Sequence, residues 1–191
     1  MFARLTPVVK NLILITGAVF VIQMLFPTIG YYLSLYNINT PYFQPYQLFT
    51  YMFAHGGVMH ILFNMIALAF IGPILEAYWG PKKFLAFYLI AGIGAAAFNI
   101  GIDLLMGAEA GRMLGASGAI YGILMGFGVT FPNMEVMLLI PPIPIKAKYL
   151  IFVIGGMTLL MDRSGNIAHF AHLGGAVVGY LIILYWRATG K

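Results

Sequence analysis

The sequence contains no cysteine, which excludes disulfides, thiolate metal sites and a cysteine nucleophile. Charge is nearly as scarce. Only 8% of the 191 residues are Asp, Glu, Lys or Arg, 62% are hydrophobic, and the mean hydropathy is +0.94. Soluble domains carry about 25% charged residues, so this composition belongs in lipid. No charge falls between Lys10 and Glu76, Lys83 and Asp103, Arg112 and Glu135, Lys148 and Asp162, or Arg163 and Arg187.

Those gaps mark the membrane spans. A spanning helix takes about 20 apolar residues, and the first gap is long enough for two helices and a loop. Six spans follow, near 10–27, 50–74, 83–103, 115–131, 148–161 and 167–186. The expected fold is an all-α membrane protein, a six-transmembrane-helix bundle in one domain over 1–191. Arg4 and Lys10 precede the first span as in a signal peptide, but no small-x-small cleavage pattern follows, so it reads as a retained helix. The fifth span has only 13 uncharged residues between Lys148 and Asp162, which makes it thinly anchored.

The formal net charge of +5 does not point to nucleic acid, because the basic residues lie in short loops beside the spans, where they set orientation. A cytoplasmic N-terminus puts Arg4, Lys10, Lys82, Lys83, Lys146, Lys148, Arg187 and Lys191 inside, and Arg112 and Arg163 outside. Both termini are therefore expected in the cytoplasm, in a bacterial cell (inner) membrane. Residues 28–47, aromatic and flanked by prolines, read as an outer interfacial loop. The prolines of "PPIPIK", residues 141–146, break the chain between spans four and five.

A polar side chain inside a span is a functional hypothesis by default. Span two carries His55, His60 and Asn64, span three Asn99, span four Ser117, and span six His169 and His172. Counting about 1.5 Å per residue from the outer ends puts Ser117, His172 and His60 all in the outer half of the bilayer. His60 and Asn64 are four apart and share a helix face, as do Ser117 and Tyr121. Gly118, Gly122 and Gly126 on span four and Gly175 and Gly179 on span six form small-residue stripes that let helices approach closely. That approach would put Ser117 within reach of His172, with the Tyr121 ring packed against the imidazole.

A neutral histidine can take the proton of a serine hydroxyl near pH 7. No carboxylate lies at the right depth to orient it, so the inventory describes a Ser-His dyad. The oxyanion of carbonyl attack needs preorganised donors, for which the His60 ring N–H, the Asn64 amide and the Ser117 backbone N–H are candidates. His55, near the outer surface, reads as a structural hydrogen-bonder. His169 lies one turn before His172, and spacing alone does not choose between them.

"HGGVMHILFN" (55–64), "GASGAIYG" (115–122) and "AHLGG" (171–175), in this order, resemble the motifs of the rhomboid intramembrane serine proteases. The resemblance implies a six-helix rhomboid-like bundle with Ser117 as nucleophile and His172, rather than His169, as general base. It further implies oxyanion stabilisation by His60 and Asn64, Tyr121 under the base, and a structural role for Glu76. The chain departs from the family pattern in two places. Tyr51 stands where some relatives have a further histidine, and residues 28–47 lack the Trp-Arg pair often found in the first outer loop.

The function expected from the resemblance is cleavage of transmembrane or juxtamembrane segments of membrane-protein substrates. No cofactor, metal or nucleic acid is involved, and the site opens to the outer side. Span five and the 162–166 loop are expected to gate lateral substrate entry. The alternative is a non-catalytic rhomboid-like protein that binds client transmembrane helices. A transporter would want inverted repeats or midplane carboxylates, and neither is visible.

Overall fold

A computed structural model describes residues 5–107, 111–138, 142–161 and 169–190. Arg4, Glu109, Asp162, Arg163 and Lys191, and the expected 162–166 loop, lie outside the described residues. The described chain is mostly helical, and four of its helices are long and apolar enough to cross a membrane. These are α1 (Pro7–Leu25), α4 (Val58–Trp79), α5 (Pro81–Met106) and α8 (His169–Thr189). Two apolar helices are shorter, α6 (Ser117–Thr130) and α7 (Ala147–Met161). Two further pieces, α2 (Pro27–Leu33) and α3 (Gln47–Thr50), sit in the first connection.

Two segments differ from the sequence expectation, each for a local reason. The first span was expected over 10–27, but Pro27 cannot continue the hydrogen-bond ladder of α1. The helix ends at Leu25, and Pro27 starts α2 instead, so part of the expected loop is helical. The second span was expected over 50–74. In the structure α3 ends at Thr50, and the long helix begins only at Val58, after the Gly56–Gly57 pair, and runs to Trp79. Gly80, at φ +82°, turns the chain into α5. His55 therefore lies in the turn before α4 and His60 in its first turn. The expectation that His60 lies well inside a span beginning near residue 50 is corrected accordingly.

Short antiparallel ladders tie the loops at each end. Strand β1 (Leu35–Tyr36) pairs with β2 (Arg112–Met113), and β3 (Glu135–Met137) pairs with β4 (Pro144–Lys146). The first ladder joins the connection after α2 to the approach to α6 at what is here termed the serine end. At the opposite end Arg187 donates to the Val129 carbonyl at 3.0 Å, and Lys83 lies over the Trp186 ring.

Helix α6 is the centre of the fold. Ten of its residues are buried, among them Gly118 through Leu124, which explains why its sequence is apolar all round rather than amphipathic. It packs on α4, α5, α7 and α8, most extensively on α8. Its 14 residues span only about 21 Å at ~1.5 Å each, less than the ~30 Å hydrocarbon core. A short central helix enclosed by longer ones keeps its first residue, Ser117, below the rim of the bundle.

Glu76 holds the start of α1. Its buried carboxylate accepts hydrogen bonds from Thr6 Oγ1 at 2.5 Å, from the Val8 backbone N–H at 3.0 Å and from the Val9 N–H at 2.9 Å. Pro7 has no N–H, so a side chain from another helix satisfies two of the donors that a helix N-terminus leaves open. Asn99 is paired on its own helix, donating to Asp103 Oδ2 at 2.9 Å.

Candidate active site

Gly115 shapes the approach to Ser117. Its φ of +120° is a conformation L side chains rarely adopt. A Cβ there would meet His60 Cε1 and Nε2 at 2.6 Å. The absence of a side chain thus lets the imidazole of His60 lie directly against the backbone two residues before Ser117. The loop is further held by the Gly115 N–H donating to the Tyr51 carbonyl at 2.9 Å and the Ala116 N–H donating to His55 Nε2 at 3.4 Å.

The backbone donors around the two rings favour one tautomer of each histidine. His55 Nε2 receives a backbone N–H, so its Nδ1 carries the proton and donates to the Phe53 carbonyl at 3.4 Å. His60 Nδ1 receives the Gly56 N–H at 3.4 Å, which leaves Nε2–H as the donor, on the side of the ring that faces Gly115. The two rings meet edge-on with centroids 5.0 Å apart. Asn64, one turn further along α4, is buried and donates one amide N–H to the His60 carbonyl at 2.8 Å.

Glycine contacts bring α6 and α8 together. A Cβ on Gly175 would collide with the Gly118 carbonyl, and one on Gly179 would lie 2.8 Å from the Gly122 carbonyl. Ala91 and Ala95 of α5 press on Gly122 and Gly118 as well, so three helices meet at these glycines. Backbone contact this close is what small-residue stripes make possible.

The same approach places His172 Nε2 2.8 Å from Ser117 Oγ. The imidazole is buried and stacks on the Tyr121 ring, with centroids 4.2 Å apart and planes 8° from parallel. The ring that meets Ser117 is that of His172. The His169 ring stands edge-on to His172 at 6.1 Å. Ser117 is the first residue of α6, so the amides of the first helical turn and the positive end of the helix dipole surround its side chain.

Residues 42–189 match the family model described as Rhomboid domain. The chain belongs to the rhomboid family. Its rhomboid relatives include Rhomboid protein 1, mitochondrial, of Saccharomyces cerevisiae, 33% identical over 68% of this chain and 38% of that protein. RHOMBOID-like protein 1 of Arabidopsis thaliana is 31% identical over 73% of this chain and 34% of its own length. Rhomboid protease AarA of Providencia stuartii is 33% identical over 69% of this chain and 52% of its own length. The chain thus spans about a third to a half of the length of the curated relatives it matches. Yeast mitochondrial, plant and bacterial rhomboids all appear among them, so family membership alone does not select a bacterial inner membrane.

Three contributors around this rhomboid site were not legible in the sequence. Gln23 of α1 clamps the backbone of His55, its Oε1 accepting from the His55 N–H at 3.1 Å and its Nε2 donating to the His55 carbonyl at 3.4 Å. Tyr51 donates to the Gly92 carbonyl at 2.6 Å, locking the chain before His55 onto α5. Thr158 of α7 accepts a hydrogen bond from the Tyr121 hydroxyl at 3.1 Å. A glutamine or threonine in an apolar helix flags a polar partner, but the sequence does not say which one.

Proposed function

We propose that this rhomboid is an intramembrane serine endopeptidase that cleaves membrane-protein substrates in or beside their transmembrane segments. One observation carries the reading: Ser117 Oγ and His172 Nε2 are 2.8 Å apart, with the imidazole seated on Tyr121. In this mechanism the neutral His172 Nε2 takes the hydroxyl proton as Ser117 Oγ attacks the scissile carbonyl. The oxyanion is received by His60 Nε2–H, the second amide N–H of Asn64 and the backbone N–H of Ser117. His172 then returns the proton to the departing amine. In the second half of the cycle water enters from the serine end and attacks the acyl carbonyl while losing a proton to His172, which then passes that proton to Ser117 Oγ as the carboxylic acid product leaves.

Tyr121 replaces the orienting acid of a triad by fixing the plane of the ring through stacking. In the bilayer, α6 and α7 complete a six-helix bundle over this single domain. Lys10, Lys82, Lys83, Lys146, Lys148 and Arg187 lie at the end away from Ser117, and Arg112 lies at the serine end. The positive-inside rule then puts both termini in the cytoplasm and opens the site to the outer side. Substrates reach it laterally past α7, the thinly anchored helix.

The test is cleavage of a single-span substrate in proteoliposomes by the native chain, Ser117→Ala and His172→Ala. Both variants are expected to fall to background, a loss of about 10³-fold or more. Cleavage that survives Ser117→Ala overturns the mechanism. A native chain that retains client helices without cutting any of them supports the non-catalytic alternative.

A further inference from the structure

The ring on which the base rests is itself held by a helix that carries neither member of the dyad. Tyr121 stacks under His172, and its hydroxyl donates to Thr158 Oγ1 of α7 at 3.1 Å. Thr158 Oγ1 in turn donates to the Ile154 carbonyl of its own helix at 2.8 Å. Gly155, three residues earlier and on the same face, also faces the Tyr121 ring, where a Cβ would sit in ordinary van der Waals contact, 3.7 Å from Tyr121 Cε1. The face that α7 turns to the site is therefore Gly155 and Thr158, and Tyr121 is what it touches.

The rest of α7 gives this contact its leverage. The helix is fixed at its start, where Ala147, Leu150 and Ile151 are buried and the Ala147 and Lys148 N–H groups bond the Met134 and Pro132 carbonyls. Beyond that, Met157, Leu159 and Leu160 are exposed, and α7 packs chiefly on α6. A helix anchored at its start, whose later described residues reach the site through Thr158, has a ready pivot.

We propose that Thr158 is a positioning residue that couples the docking of α7 to the alignment of the catalytic base. With α7 docked, the Thr158–Tyr121 hydrogen bond fixes the ring on which His172 rests. When α7 swings out, Tyr121 loses the hydrogen bond to Thr158 and the imidazole's seat is no longer fixed, so the dyad is fully aligned only in the closed state. The proposal rests on the Ser-His reading above.

The test is a double-mutant cycle on steady-state cleavage in proteoliposomes. Thr158→Val and Tyr121→Phe each remove the bond while keeping shape, and each should lower kcat about fivefold, the worth of one buried hydrogen bond, with KM little changed. Together they should cost no more than either alone. Thr158→Ser, which keeps the hydroxyl, should restore native kcat.

Additive losses, or a Thr158→Val that matches the native enzyme while Ser117→Ala is inactive, would overturn the coupling and leave the Ser-His reading standing. A Thr158→Ser as impaired as Thr158→Val would make Thr158 a packing residue and also overturn it. Equal cleavage by the native chain and Ser117→Ala would remove the reading and the coupling together.

Discussion

Gly175 of α8 lies against the carbonyl of Gly118 of α6, so closely that there is no room for a Cβ between them. Gly118 follows Ser117, and Gly175 is three residues after His172, so this contact sets the register in which hydroxyl and imidazole meet. Gly175→Ala has to push the two backbones apart. Overpacking of this kind costs about 1–3 kcal/mol, and here it also lengthens the Ser117–His172 hydrogen bond. Loss of cleavage together with a lower Tm in detergent is the expected result, and a fully active Gly175→Ala would show that the register is not set here.

Glu76 predicts a stability effect separate from chemistry. Its carboxylate serves Thr6 and the first amides of α1 through three hydrogen bonds. Glu76→Ala leaves the buried Val9 N–H and the half-buried Thr6 and Val8 donors without their acceptor, at a cost of about 3 kcal/mol. Glu76→Gln, which retains one acceptor oxygen, should cost less. Thermal unfolding in one detergent should give the order native, Glu76→Gln, Glu76→Ala, and proteolysis near α1 should rise in the same order.

His60 and Gly115 act as one unit. Gly115→Ala places a methyl in the His60 ring and strains a backbone held at φ +120°. It should lower kcat by about 10²-fold, the order expected for loss of an oxyanion donor. His60→Ala should lower it similarly, and the double variant should be little worse than either single one. Independent, multiplying losses would show that Gly115 matters for some reason other than seating His60.

Gln23 reaches the site only through the backbone of His55, which it binds at both N–H and C=O. Gln23→Ala should therefore destabilise the 55–57 turn by about 1 kcal/mol and show a modest fall in kcat. Gln23→Glu keeps the acceptor for the His55 N–H but loses the donor to its carbonyl, so it should fall between. Hydrogen exchange of the 51–57 segment measures the loosening directly.

The existence of the helices was readable from the gaps between charges, because bilayer thickness leaves a composition signature that needs no tertiary information. Their ends were less readable. The start of α4 moved from near 50 to Val58 because Gly56–Gly57 and a tight α3 interrupt a run whose hydropathy is continuous, and hydropathy does not register a break. Ser117, His172, His60 and Asn64 stood out because such polar residues are rare in the spans, and Tyr121 through its spacing from Ser117 and the motif resemblance. Thr158 and Gln23 were polar too, but each works through a partner 37 or 32 residues away, a pairing that only the packed helices reveal.

In the proposed mechanism His172 makes Ser117 nucleophilic. The most direct measurement is covalent labelling by a fluorophosphonate that phosphonylates activated serines, read by peptide mass spectrometry on the native chain and on His172→Ala. The account predicts a single adduct on Ser117 in the native protein and almost none in His172→Ala at equal time and probe concentration. Equal labelling of Ser117 in both proteins, or an adduct on another residue, would contradict it.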